Sequence, residues 1–313
     1  MPNTTLPTPL AQPLFDHITI VGAGLIGSSI VRAVKQQNAA KHITVVDGSQ
    51  QVIDRVAALK IADTQTTDIA SGVRDADLVI LCVPVGAMGT VAEAMAAHLK
   101  SGAIVSDVGS TKASVIRQVA PHLPKGVHFI PAHPVAGTEY SGPDAGFSTL
   151  FNNRWSILTP TDGTDQALVE KMRTLWESFG SNVEIMEPQH HDLVLAITSH
   201  VPHLIAYNIV GTAADLEKVT QSEVIKFSAG GFRDFTRIAA SDPTMWRDVF
   251  LNNREAVLEM LGRFNEDIAV LTRAIRNGDG DALFELFSKT RTIRRNIITH
   301  GQETDEPNFG RRQ

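Results

Sequence analysis

The sequence predicts two domains: an α/β domain built on a doubly wound, mostly parallel sheet, followed by an all-α domain. Three observations predict this. A glycine-rich turn, Gly22-Ala-Gly24-Leu-Ile-Gly27, joins an apolar, β-branched run to a helical pattern. Strand-like and helix-like segments alternate from about Phe15 to Met186. After Glu187-Pro188 the strands stop and long helical periodicities take over.

In chain order, residues 1–14 are proline-containing and lack an apolar signal core, so they read as a disordered lead-in rather than a secretory signal. The strand Ile18–Val21 then enters the glycine turn. Gly22 permits the tight turn, Gly24 lets the backbone approach a pyrophosphate, and Gly27 lets helix and strand pack closely. The helix that starts at Leu25 and Ile26 offers free N–H groups and a positive dipole end to the phosphates. A second strand, Ile43–Val46, ends in Asp47, at the spacing where a carboxylate accepts the adenosine ribose hydroxyls. Gly48, Ser49 and Gln50 follow with no Arg or Lys, so the expected dinucleotide is NAD rather than NADP. The bland alternative is a glycine-rich turn in an α/β protein of another kind.

Further strands are expected at 78–83, 103–106, 127–130, 155–159 and 183–186, the later ones not all parallel. Helices are expected at 50–60, 87–99, 111–120 and 164–179. Such a Rossmann-type sheet binds ligands outside the carboxyl ends of its strands, which brings Val83 and Pro84 to the cofactor. The domain boundary falls near 187, giving a dinucleotide-binding domain over 15–186 and a helical domain over 187–300. Helical patterns run over 189–214, 220–239, 243–276 and 279–299, with Asp242-Pro243 as a helix start. Val249, Leu251, Val257, Leu258, Leu261, Phe264, Ile268 and Leu271 are more apolar positions than one helix needs, so part of that surface is expected to meet a second subunit, as a homodimer. Arg291, Arg294 and Arg295 read as a solvated face, and 301–313 as a disordered tail.

Hydrophobic content of 43% and charged content of 20% fit an ordinary globular protein. A net charge of −6 leaves no footprint for nucleic acid or an anionic membrane. No run of about 18 apolar residues is present to span a bilayer. The single cysteine, Cys82, excludes an internal disulfide and a multi-cysteine metal cluster, and is compatible with a cytoplasmic location.

Four segments could carry chemistry. Asp107-Val-Gly-Ser110-Thr-Lys112 follows a strand; Ser110 is either a helix N-cap or a group facing the nicotinamide. Ile130-Pro-Ala-His133-Pro ends the next strand. A loop histidine is often merely solvated, but one held between prolines at a strand end can take a hydroxyl proton near neutral pH. Ser199 and His203 share a face of the first helix of the second domain, which Pro202 should bend. His200 and His203 have no third ligand in view, so no metal is expected. Arg237, among small and apolar residues, needs an anion: Asp234, or a substrate carboxylate.

Together these blocks resemble the prephenate/arogenate dehydrogenase family, the cyclohexadienyl dehydrogenases of tyrosine biosynthesis. The match runs from about residue 15 to 300. It is carried by Asp-Val-Gly-Ser-Thr-Lys at 107–112, His-Pro-Val-Ala-Gly-Thr-Glu at 133–139, Thr-Ser-His-Val-Pro-His at 198–203 and Gly-Gly-Phe-Arg-Asp-Phe-Thr-Arg-Ile-Ala-Ala-Ser-Asp-Pro-Thr-Met-Trp at 230–246. The resemblance implies an NAD-dependent oxidative decarboxylation of prephenate to 4-hydroxyphenylpyruvate, with no metal. It implies that His133 is the catalytic partner of the C4 hydroxyl, that Ser110 orients it and that Arg237 binds a substrate carboxylate. It also implies that Thr138, Glu139, Ser199, His203, Gly230 and Trp246 line the substrate site; Trp246 has core packing as its alternative. Phe151-Asn152-Asn153-Arg154 holds no acid for an ammonium, so prephenate is expected ahead of arogenate. No fused mutase or regulatory domain is expected. Two rivals remain at this point: a β-hydroxyacid or 6-phosphogluconate-type dehydrogenase, which needs a lysine absent between 172 and 217, and a non-catalytic NAD-binding regulator. If His133 is the base, kcat should rise with pH through its pKa.

Overall fold

A computed structural model describes residues 7–138, 140–220 and 230–299. The described chain divides into two compact units, one ending at Val257 and one starting at Leu258.

The first unit is built on six parallel strands: β1 (Phe15–Val21), β2 (Ala40–Val46), β3 (Thr64–Thr66), β4 (Leu78–Leu81), β5 (Ile104–Asp107) and β6 (His128–Phe129), in the order β3-β2-β1-β4-β5-β6. Between them run α1 (Leu25–Gln36), α2 (Gln50–Leu59), α3 (Ile69–Val73), α4 (Met88–Ala96) and α5 (Ala113–Val119). All four residues of β4 are buried, as expected of a strand covered on both faces. Its alternation divides two cores. Leu78 and Ile80 join Ile18, Ile20, Ile30 and Trp176 on one side; Val79 and Leu81 join Val21, Val46, Met88 and Met95 on the other. The strand order reverses between β1 and β4, which opens a crevice at their carboxyl ends beside the start of α1.

Three local features differ from the sequence expectations. β3 and α3 were not foreseen: Thr64-Gln-Thr66 carries no apolar alternation and is a strand only because it pairs with β2. Residues 7–14 are not loose. Leu10 N–H donates to the Gln37 carbonyl and Leu14 N–H to that of Ala39, both at 3.0 Å, while the Asn38 amide donates to the Leu10 carbonyl. The run expected at 127–130 ends at Phe129, and a separate strand, β7 (Ala132–Pro134), leaves the sheet. β7 pairs antiparallel with β8 (Trp155–Leu158), which pairs parallel with β9 (Asn182–Ile185). His133 therefore lies on a strand opposite Ile157, not in a loop. Pro131 and Pro134 lack the N–H groups to extend a parallel ladder there. The helix α6 (Gln166–Ser178) connects β8 to β9.

Among the described residues no strand follows β9. α7 (Pro188–Leu195) passes through a π turn, Ala196–His200, into α8 (Val201–Thr220). Pro202 has no N–H for the Thr198 carbonyl, and the chain takes up the wider turn just before it. Pro188–Leu216 is 29 residues long and contains an 18-residue window with a mean hydropathy of 1.5, enough by length and composition to cross a membrane; 28% of that window is buried. It is not an unbroken apolar run: Thr198, Ser199, His200, His203 and Asn208 interrupt it. The expected helix 220–239 is described only from α9 (Gly230–Thr236), which tightens into a turn at Arg237–Ala240. The expected helix 243–276 is two: α10 (Pro243–Asn252) and α11 (Arg254–Asn277). Asn253 breaks it, with its amide turned inward to the Asp192 carbonyl at 2.8 Å.

The second unit comprises the rest of α11 and α12 (Gly280–Thr299). It carries Val270, Ile275, Phe284 and Phe287, each more than half exposed. Arg291, Arg294 and Arg295 are exposed, and the tail 301–313 lies outside the described residues.

One prediction arises from the glycine turn. A Cβ on Gly27 would stand 1.9 Å from the Gly22 carbonyl oxygen, a backbone atom that cannot rotate aside. Gly27→Ala should cost about 1–3 kcal/mol in stability and weaken NAD binding. A thermal melt and an NAD titration check this; an unchanged Tm with unchanged affinity refutes it.

Candidate functional site

The crevice at the β1–β4 switch is lined by the glycine turn. Gly22 has φ +99°, and a Cβ there would meet the Cys82 carbonyl at 2.7 Å and Val83 at 3.1 Å. The protein itself therefore demands Gly22 and Gly27. Gly24 differs: a Cβ there meets no protein atom within 4 Å, and its φ of −71° is open to any residue. A glycine at this place makes sense for something outside the chain that comes close. Leu25 and Ile26 form the first turn of α1, which has no side-chain cap and no acidic residue. Its free N–H groups and dipole suit an anion. Asp47 closes the far side: one carboxylate oxygen accepts the Ala23 N–H and the other the Ser49 N–H, both at 2.9 Å. Each oxygen keeps a further lone pair for a hydroxyl. Val83 and Pro84 follow β4 at the mouth of the crevice. These residues fit a dinucleotide.

Beyond the end of β5 lies a buried polar cluster. Lys112 is fully buried; its ammonium donates to the Asp107 carboxylate and, at 2.6 Å, to the Ala132 carbonyl. Burial pushes Asp107 up and Lys112 down, and each serves as the other's counter-ion. Asp107 also accepts the Ala132 N–H, so the pair pins the start of β7 and fixes His133.

His133 is 7% exposed. Its Nδ1 lies 2.9 Å from Nε2 of His191, whose Nδ1 lies 2.8 Å from the Asp192 carboxylate. Asp192 is itself held, accepting the backbone N–H of Lys112 at 2.7 Å and of Ala113 at 2.9 Å. Of the two alternatives for Ser110, the N-cap one does not hold: α5 begins at Ala113, and the Asp192 carboxylate from α7 caps it. Among the described residues no hydrogen bond joins Ser110 to His133. Ser110 is instead half-buried, with its backbone against His200. Burial, reinforced by His191, Lys112 and His200, holds His133 well below the ordinary imidazole range. Burial also lowers His191, against the pull of Asp192. For His200, burial outweighs Asp192 and pushes its pKa down to about 4. The site therefore holds neutral imidazoles beside one buried ammonium–carboxylate pair.

A second group faces the same cluster from the helices. His203 stacks on Trp246, with ring centroids 3.7 Å apart, and its Nδ1 donates to the Ser199 carbonyl at 2.9 Å. The Trp246 indole N–H is buried with no hydrogen-bond partner among the described residues, a donor available to a ligand. Burial lowers the His203 pKa, as does the positive charge of half-buried Arg237 nearby. Trp246 and His203 are thus brought together, with Arg237 near them. Thr138 lies on an exposed stretch, where its hydroxyl accepts the Tyr140 N–H, and Gly230 is exposed at the start of α9. Among the described residues no hydrogen bond joins either to the histidines. Glu139 lies outside the described residues. Among the described residues no group of metal-ligating side chains is assembled.

Sequence reasoning missed His191, Asp192 and Asn253. The available signal was Gln189-His190-His191-Asp192, a polar titratable run opening an otherwise apolar helix. Asn253 carried none.

Residues 30–185 match the family described as prephenate dehydrogenase, nucleotide-binding domain, and residues 187–289 that described as prephenate dehydrogenase, dimerization domain. The chain is 46% identical over 281 residues to the cyclohexadienyl dehydrogenase of Zymomonas mobilis, covering 90% of this chain and 96% of that protein. Among solved structures it is similar to the prephenate dehydrogenase of Aquifex aeolicus in complex with hydroxyphenyl propionate and NAD+ (TM-score 0.84, 33% identity, 90% of this chain and 98% of that one). It is also similar to the arogenate dehydrogenase of Synechocystis (TM-score 0.76, 26% identity, 90% and 99%).

Proposed function

This chain belongs to the prephenate dehydrogenase family, and on that premise we propose that His133 is the group that handles the ring hydroxyl proton. The protein is an NAD-dependent oxidoreductase that oxidatively decarboxylates prephenate. The two rival readings, a β-hydroxyacid dehydrogenase and a non-catalytic regulator, are set aside.

NAD, when bound, takes the hydride from C4 of the ring. Gly22, Gly24, Gly27, Leu25 and Ile26 hold its pyrophosphate, Asp47 its ribose, and Val83, Pro84 and Ser110 flank its nicotinamide end. His133 accepts the C4 hydroxyl proton as the hydride departs. The C1–carboxylate bond then breaks; its electron pair makes the ring aromatic and moves the carbonyl pair onto oxygen, which takes the proton back from His133. No proton is consumed overall, so the histidine needs only to be neutral, oriented and in contact. Arg237 grips a substrate carboxylate, with Trp246 and His203 forming the wall beside it and Ser199, Thr138 and Gly230 completing the rim. The observation that carries this reading is the buried, neutral His133 at the carboxyl side of the sheet.

Prephenate is preferred to arogenate on this reading, because His203, Trp246 and Arg237 offer a cation and donors rather than a carboxylate for an ammonium. Relative kcat/KM for the two substrates tests this; an arogenate preference overturns it. A homodimer is the state supported by the exposed apolar residues Val270, Ile275, Phe284 and Phe287 and by the dimerization-domain match. A cytoplasmic location is the one the single cysteine supports.

Cofactor choice follows from Asp47. Juxtaposing its carboxylate with a 2′-phosphate costs several kcal/mol, so kcat/KM for NAD should exceed that for NADP by about two orders of magnitude. Parallel assays with both cofactors decide this, and comparable values would refute the role given to Asp47.

A further inference from the structure

Asp192, His191 and His133 form one buried string with a direction. The Asp192 carboxylate can only accept, so His191 carries its proton on Nδ1. A neutral His191 then has its lone pair on Nε2, and the hydrogen bond to His133 must come from the Nδ1–H of His133. That leaves the lone pair of His133 on Nε2, which makes no hydrogen bond among the described residues. From this we infer that His191, anchored by Asp192, is a positioning residue that locks His133 in its Nδ1–H tautomer and so presents Nε2 to the substrate hydroxyl. The inference rests on His133 having the role proposed above.

The anchor is firm at each link. Asp192 is tied to the first backbone N–H groups of α5, the helix that follows the loop carrying Ser110. Asn253 donates to the Asp192 carbonyl, which holds the α7 backbone in place. His191 is fully buried, so no water competes for its ring. The reversed string would require the carboxylate to donate. When His133 holds the hydroxyl proton, its positive charge is shared through His191 toward a carboxylate. That offsets the fully buried Lys112 ammonium, which otherwise opposes the charge. The other groups facing this pair are His200 from the π turn and Asp107 from β5. An orienting acid that fixes a histidine tautomer in this way is a known catalytic device.

The test uses the full-length enzyme. In ¹⁵N-histidine-labelled protein at neutral pH, with His133 assigned by comparison with His133→Asn, Nδ1 should give the protonated-type shift and Nε2 the unprotonated-type shift. The opposite pattern overturns the inference, whatever the variants do. His191→Leu removes the acceptor and should lower kcat about 100-fold, with KM for prephenate within about threefold. His191→Gln restores an acceptor in a similar volume and should recover most of that loss. A residue that merely fills space would show equal activity in both variants, and that result overturns the inference. His133→Asn/His191→Leu should be no slower than His133→Asn alone, because both act on one group. If His133→Asn is itself fully active, the reading of His133 has failed. If His133→Asn is inactive while His191→Leu is normal, only the positioning role has failed.

Discussion

Replacement of His133 by asparagine should lower kcat by about 10²–10⁴-fold and leave KM for prephenate nearly unchanged. Asparagine keeps a polar side chain of similar reach but cannot take up a proton, so the loss falls on the chemical step rather than on binding. The pH dependence gives the same result a signature. His133 acts as the neutral base, so kcat rises with pH through its pKa and is level above it. Burial, with His191, Lys112 and His200 around it, places that pKa well below 6.5. The rising limb therefore lies on the acid side, and the rate near neutrality is flat with respect to this group. A broad rise centred near neutral pH, as an exposed imidazole would give, is not expected. Steady-state kinetics of both proteins across the acid range check this. A kcat within threefold of the parent rules out His133 as the proton acceptor.

Arg237→Gln should act on the other half of the rate law. Truncating one side of a hydrogen-bonded charge pair costs about 2–5 kcal/mol. Arg237 is only half-buried, so the lower end applies, and KM for prephenate should rise about 30-fold with kcat changed far less. NAD affinity should be untouched, since the glycine turn and Asp47 hold the cofactor. Initial rates at saturating NAD, with a separate NAD titration, test the assignment. If NAD binding weakens while KM for prephenate stays constant, Arg237 does not bind the substrate carboxylate.

The parts legible in the sequence are those whose physics is local. The glycine turn could be read because Gly22 and Gly27 answer constraints set by their own backbone and an adjacent strand. β4 could be read because four consecutive apolar residues need cover on both faces. His133 stood out because two prolines and a strand end frame it, though its place on β7 depends on pairing with β8, which local sequence does not encode. The string behind it was not legible. His191 meets His133 across 58 positions of sequence, and Asp192 meets Lys112 across 80. Asn253 ends a helix with neither glycine nor proline, because its amide finds partners on α7 and the π turn rather than in its own segment. The cap alternative for Ser110 could not be dismissed locally for the same reason: the carboxylate that caps α5 comes from α7, some 80 residues along the chain.

The π turn at Ala196–His200 has a consequence for how this helix can vary. An α-helix advances about 100° per residue, and the wide turn accommodates one residue more than a regular turn would. The angular phase between His191 and Asp192 before the turn and His203 after it is therefore set by a count of residues. Exchanges of side chain within the turn preserve that phase. Loss of a single residue there would rotate everything downstream by nearly a third of a revolution, parting the proton-handling histidine from the wall that meets the substrate while leaving both intact. Chain length in these five positions should thus be far less tolerant of change than chain identity.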